Sequence, residues 1–167
     1  MKSKSYTVVI NKPVHEVFMA SLNPKNTPLW IDGMAEEQSS EFPPKPGTKY
    51  RNRGKTGGWS EYTITAFEQD KTFTLSRDDG SYHVKYTFRP LDSNQTNFEY
   101  SEWEDKGELK NPMPQEAIQK LKQLIENQWL RFIPLMFDVR SNSVKRVASA
   151  TGDGAIVIPE IYQHLNK

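Results

Sequence analysis

The stretch TKYRNRGKTGGWSEYTITAFEQDKTFTLSRDDGSYHVKYTFRP, residues 48–90, decides the fold. Its β-branched and aromatic residues fall into short runs at 48–53, 59–67, 72–77 and 82–89. Turn-forming segments rich in glycine, aspartate or lysine separate them. A fifth run at 96–103 follows Pro90 to Gln95. The connections, four to six residues each, suit hairpins, so the region reads as an antiparallel meander.

Closing each hairpin symmetrically about its turn sets the cross-strand partners. Tyr50 falls opposite Tyr62, and Arg51 opposite Glu61. Tyr62 then faces Arg77, Ile64 faces Leu75, and Ala66 faces Phe73. Across the next turn Arg77 meets Tyr82, Leu75 meets Val84, and Phe73 meets Tyr86. Finally Tyr86 meets Tyr100, and Phe88 meets Phe98. These registers agree with one another. One face collects the tyrosines, phenylalanines, Ile64, Leu75 and Val84. The other collects Lys49, Arg51, Arg53, Glu61, Thr74, Lys85, Thr87 and Arg89. One buried and one wet face is the pattern of an antiparallel sheet, and a slip of one residue would invert it.

Outward from the meander, Tyr6 to Ile10 reads as a strand and Val14 to Leu22 as a helix. Val14, Val17, Phe18 and Ser21 share one helical face. Asn23-Pro24 ends that helix, Trp30 follows in a turn-rich stretch, and Ala35 to Phe42 is a weaker strand. After Pro114 the 3.6 period runs through Ala117, Ile118, Leu121, Leu124, Ile125, Trp129 and Phe132. Pro134 kinks or ends this helix.

The 167 residues suffice for one domain with a core. Leu, Ile, Val and Phe total only 36, but Phe, Tyr and Trp make 19 of the 59 hydrophobic residues. Each ring buries roughly 150–250 Å², so a wide, ring-lined interior is expected. The net charge of +1, with no strongly basic third of the chain, argues against nucleic acid as a partner. No window is apolar enough to insert into a membrane, and no signal-peptide h-region follows the first residues. The lack of cysteine excludes disulfides and thiolate chemistry and fits a cytoplasmic protein.

The opening Val8-x-Ile10-x-x-Pro13-x-x-x-Val17-Phe18, then Asn23-Pro24 and Trp30, resembles the START-like (SRPBCC, helix-grip) superfamily, in particular its polyketide-cyclase and heat-shock-ATPase-activator-like branch. Gly47, Tyr62-x-Ile64-x-x-Phe67, Tyr86-x-Phe88-x-Pro90 and the helix after Pro114 match the same layout, over residues 5 to 133. The resemblance implies an α+β fold. A curved seven-stranded antiparallel sheet wraps a long C-terminal helix, with two short helices after the first strand and a cavity between sheet and helix. Residues 1–137 would form this domain, and 138–167 a C-terminal extension serving as lid, dimer element or flexible tail. Members bind lipids, sterols, polyketides or other apolar molecules; some are enzymes and some act on protein partners.

Within that frame the candidate ligand-binding residues are Trp30, Tyr50, Tyr62, Phe73, Leu75, Arg77, Tyr82, Val84, Tyr86, Phe88 and Tyr100 from the sheet side, and Leu121, Leu124 and Gln128 from the helix. Arg77 is the unusual member. An inward arginine must be paired or wet; it either anchors an acidic or carbonyl group or forms an ion pair with Glu102 or Glu104. The leading expectation is a protein that holds a hydrophobic or amphipathic small molecule without a cofactor. An enzyme built on Arg77, Tyr82 and Glu102 is one alternative, and an ATPase-activator-like interaction module is another, with a homodimer formed through the extension as a further expectation.

Weaker features read as structural. His15, His83 and His164 lack metal-ligand spacing, and neither His15 nor His83 is placed to reach a serine. His83 reads as solvated on the outer face. The Gly54-to-Gly58 loop is a hairpin turn, not a phosphate loop. The basic run from Lys45 to Lys55 reads as a wet strand face answered by Glu61. Trp59 and Trp103 fall outward or at strand ends.

Overall fold

A computed structural model describes residues 2–127 of the chain. In order, the elements are β1 (Ser3–Ile10), α1 (Val14–Leu22), α2 (Thr27–Trp30), β2 (Met34–Ser39), β3 (Lys49–Gly54), β4 (Trp59–Glu68), β5 (Thr72–Arg77), β6 (Tyr82–Pro90), β7 (Thr96–Glu104) and α3 (Gln115–Glu126). The strands form one seven-stranded antiparallel sheet in the order β1-β7-β6-β5-β4-β3-β2. The part of the expected long helix beyond Asn127, with Gln128, Trp129, Phe132 and Pro134, lies outside the described residues, as does the extension at 138–167.

The meander registers follow the alternation of the sequence. Tyr50 pairs with Tyr62, Tyr62 with Arg77, Leu75 with Val84, Phe73 with Tyr86, and Tyr86 with Tyr100. One expected pair is corrected. A bulge between Ile64 and Ala66 places Ala66 opposite Thr74 and Phe67 opposite Phe73. A bulge sets two residues against one and so reverses the side-chain parity beyond it. Ala66 is therefore exposed, while Phe67 packs against the core.

That parity change completes an aromatic cluster. Phe18, from the apolar face of α1, packs edge-on against Phe67, Phe73 and Phe88 with centroid distances of 5.5, 5.8 and 5.2 Å. Tilted edge contacts are the favoured geometry for rings. Tyr86 stacks on Phe73 at 4.4 Å and meets Tyr100 edge-on at 5.4 Å. On the other side α3 buries Ala117, Ile118, Leu121, Leu124 and Ile125, the positions its 3.6 period marks. The Tyr50 phenol, 3% exposed, donates to the carbonyl of Leu22, the last residue of α1. It thereby ties the helix end to β3, and it satisfies one of the carbonyls that a helix C-terminus leaves free.

The outer face of the sheet departs from expectation in two places. First, the partners of the basic strand β3 lie mainly on β2: Arg51 donates to Gln38 and Arg53 to Glu36, and both guanidinium groups lie over the Trp59 ring. In register Glu61 does lie opposite Arg51, but the bidentate geometry of the guanidinium is met by Gln38. Second, His83 is only 15% exposed. It stacks on Trp103, and its Nδ1 lies 2.8 Å from Ser76 Oγ. Asp105 Oδ2 is 3.2 Å from His83 Nε2, without hydrogen-bond alignment. His83 thus does reach a serine. Ser76 is 8% exposed, however, and its hydroxyl also bonds Thr65, which leaves no approach for a carbonyl substrate. With His83 stacked on Trp103 and Ser76 held by Thr65, the trio is a structural contact.

Candidate functional site

The concave face of the sheet carries a cavity of about 140 Å³. Twelve residues line it: Thr27, Ile31, Met34, Glu37, Asn52, Tyr62, Leu75, Tyr82, Val84, Tyr86, Tyr100 and Met113. They come from α2 and the turn after it, from β2 through β7, and from the segment before α3. Each strand contributes at the positions whose alternation points inward, so the meander's period places a row of tyrosines along one wall.

Among the expected ligand-binding residues, Tyr62, Leu75, Tyr82, Val84, Tyr86 and Tyr100 line this cavity. Trp30, Tyr50, Phe73, Phe88, Leu121 and Leu124 are buried in the packed core instead. Arg77 sits beside the cavity, its guanidinium 5.2 Å from the Tyr82 ring and 5.9 Å from the Tyr62 ring. Among the described residues no ion pair joins Arg77 to Glu102 or Glu104; the two rings are its near partners, and the Glu104 charge acts on it from farther off. Arg77, Tyr82 and Glu102 therefore do not converge in the cavity; only Tyr82 lines it.

Glu102 is 1% exposed, and its partners are neutral. Its carboxylate accepts hydrogen bonds from the Tyr82 phenol, from the Tyr100 phenol at 3.3 Å and from the Met113 backbone N–H at 2.5 Å. Charge-assisted bonds of this kind hold the carboxylate, and the Lys4 ammonium, opposite it in register on β1, acts on it at longer range. Burial and the adjacent Glu102 together push the Tyr82 phenol far above its ordinary range. It is a hydrogen-bond donor across physiological pH, not a base.

Sequence reasoning missed six of the lining residues, Thr27, Ile31, Met34, Glu37, Asn52 and Met113, of which Glu37 is the ionisable one. It accepts a hydrogen bond from Thr27 Oγ1 at 2.5 Å and a long one from Asn52 Nδ2 at 3.4 Å. Burial pushes its pKa up to about 7, against the opposing pull of those two hydrogen bonds. Its neighbour Glu36 faces the other way, to Arg53. Which of the two carboxylates turns inward depends on the pairing of β2 with β3, where Glu37 meets Asn52 and Ser39 meets Tyr50. The inward Tyr50 implies an inward Asn52 two residues on. The long connection from Ser40 to Thr48, however, leaves the β2 register unreadable from sequence.

A stability measurement tests the Glu37 environment. The unfolded chain releases this proton near 4.5 and the folded chain near 7. Between those values the folded state holds the extra proton, so stability falls as pH rises, by up to about 3 kcal/mol. The carboxylates with lowered values, including Asp32, Asp78 and Asp79, act below this window. Urea midpoints between pH 5 and 8 should show this decline in the wild type and lose it in Glu37→Gln. Equal pH slopes would contradict the assigned environment.

Tyr86, 7% exposed, lines the same cavity, and its hydroxyl makes no hydrogen bond to another described residue. Burial raises the phenol well above its usual value, and the Glu37 charge adds to the effect. The cavity thus has an apolar wall of Ile31, Met34, Leu75, Val84 and Met113. Its polar end has Glu37 against Thr27 and Asn52. Among the described residues no helix is long and apolar enough to cross a membrane.

No protein-family model matches the chain, and no curated protein matches it. Solved structures do. A START superfamily protein from Mycobacterium smegmatis superposes with a TM-score of 0.59 at 12% identity, over 79% of this chain and 99% of its own. A norcoclaurine synthase from Thalictrum flavum gives 0.58 at 11% identity, over 79% and 96%. The di-domain ARO/CYC StfQ of the steffimycin biosynthetic pathway gives 0.55 at 13% identity, over 77% of this chain and 46% of its own. At such identities the likeness speaks for the fold. The chain has the helix-grip fold that its sequence pattern resembles.

Proposed function

We propose that this helix-grip chain binds a small amphipathic molecule of about one ring in the tyrosine-walled cavity. The observation that carries the reading is the cavity itself: four tyrosines and five aliphatic side chains surround about 140 Å³, with Thr27, Glu37 and Asn52 at one end. Apolar walls with a few convergent polar groups are the usual makeup of a small-molecule site. Size narrows the ligand. Drug-sized ligands occupy roughly 300–1,000 Å³, whereas an apolar cavity of about 150 Å³ holds benzene. A single ring fits within it. A cytoplasmic setting and a dimer formed through residues 138–167 remain part of the proposal, supported by the lack of cysteine and by the length of the extension.

Saturation-transfer NMR on the full chain with toluene tests the reading. Toluene should bind the wild type at sub-millimolar to millimolar concentration, and Val84→Phe, which fills the cavity, should abolish the transfer while the protein stays folded by circular dichroism. Absence of transfer in the wild type, or transfer unchanged in Val84→Phe, would overturn it.

A further inference from the structure

We infer that the cavity selects a small organic ammonium ion, with the charged nitrogen seated between the Glu37 carboxylate and the Tyr86 hydroxyl. The inference rests on the proposed one-ring site and adds the charge of its ligand.

Three observations lead to it. The first is that, among the described residues, the cavity lining contains one carboxyl group and no lysine, arginine or histidine. Glu37 holds two neutral donors, Thr27 and Asn52, one of them at a long 3.4 Å. An ionised carboxylate buried with so little compensation is costly, and a cation delivered by a ligand would relieve that cost. The second is Tyr86, nine-tenths buried and lining the same space, whose hydroxyl makes no hydrogen bond to another described residue. Its oxygen is an acceptor, and an ammonium group carries several N–H donors that can bond a carboxylate and a phenol together. The third is the tyrosine wall. The Tyr86 ring stacks on Phe73 and the Tyr100 ring meets it edge-on, an aromatic surface of the kind that attracts cations.

The other charges around the cavity fit this assignment. Glu102 adds a second negative charge behind Tyr82 and Tyr100, already saturated by three donors. Arg77 is the nearby cation, held between the outer rings of Tyr62 and Tyr82 and outside the lining. A carboxylate ligand would meet Glu37 and Glu102 with no positive lining residue to receive it. Burial places the Glu37 proton equilibrium at about 7, so ammonium binding must displace a proton on the acid side of that value.

Titrations of the full chain with benzylamine, benzyl alcohol and benzoate test this, each followed by protein NMR shifts at pH 6 and pH 8. The first two probes share size and shape and differ in charge. Benzylamine should bind about tenfold tighter at pH 8 than at pH 6, because the ionised fraction of Glu37 rises by about that factor. At pH 8 it should also bind at least about tenfold tighter than benzyl alcohol, and benzoate should not bind at either pH. In Glu37→Gln the pH dependence of benzylamine binding should vanish, and with it the advantage of benzylamine over benzyl alcohol at pH 8. If benzyl alcohol equals benzylamine at pH 8, or if benzylamine binding ignores pH, the ammonium inference falls and the one-ring site stands. If Glu37→Gln keeps the tenfold pH effect, the inference falls as well. If none of the three binds, both the inference and the proposed site are overturned.

Discussion

Phe18→Ala is expected to cost about 3–5 kcal/mol of stability, the range for removing a fully buried ring. The side chain is 1% exposed and touches three other rings, from β4, β5 and β6. Its loss opens a void that these rings cannot close, because each is fixed by its own strand register. For a chain of this length the melting temperature should fall by roughly 10 °C. Phe18→Leu keeps most of the volume and should cost under about 1.5 kcal/mol. Phe42→Ala, at a ring 50% exposed, should stay within about 0.5 kcal/mol. Thermal and urea unfolding of the three variants checks the order. A Phe18→Ala protein as stable as Phe42→Ala would contradict α1 packing over the bulged end of β4.

Glu102→Ala is expected to destabilise by about 3 kcal/mol or more. The substitution leaves two phenols and the Met113 N–H without their acceptor in a site with little access to water. A hydrogen bond to a charged group contributes about 1.5–3 kcal/mol, and a buried donor left alone costs its desolvation. Against this runs the gain from no longer burying a charge, which keeps the total below the sum of three such bonds. Glu102→Gln should cost less, about 1–2 kcal/mol, since its carbonyl can still accept from Met113 while its amide donates to a phenol oxygen. Amide hydrogen exchange supplies a local readout. The Met113 amide should lose protection in Glu102→Ala and keep most of it in Glu102→Gln. A change below about 1 kcal/mol in Glu102→Ala, with Met113 exchange unaltered, would mean that this carboxylate does not anchor the segment leading into α3.

The two residues differ in how far they were readable. Phe18 is legible from the 3.6 period of α1, and the identity of its partners is nearly so. Only Phe67 required the bulge at Ile64/Ala66, because a bulge changes parity without leaving a turn residue in the sequence to announce it. Glu102 is legible as an inward residue beside Val84, since β6 and β7 are joined by a short connection. Its partners were not. The expected arginine stands between two tyrosine rings, and the Met113 N–H arrives from a segment far along the chain.

The five-stranded meander from β3 to β7, its two faces up to the bulge in β4, and the apolar stripe of the last helix were determined by the sequence alone. Side-chain period and short turns leave one register that buries the rings, and every pair reinforces the next. The cavity and its charge were decided by tertiary structure. Glu36 and Glu37 are chemically alike and adjacent. Which one faces the tyrosines depends on a β2–β3 pairing across a long connection, in which Glu37 meets the inward Asn52. Burial then raises the pKa of the inward carboxyl, which is a property of its surroundings and not of the residue type.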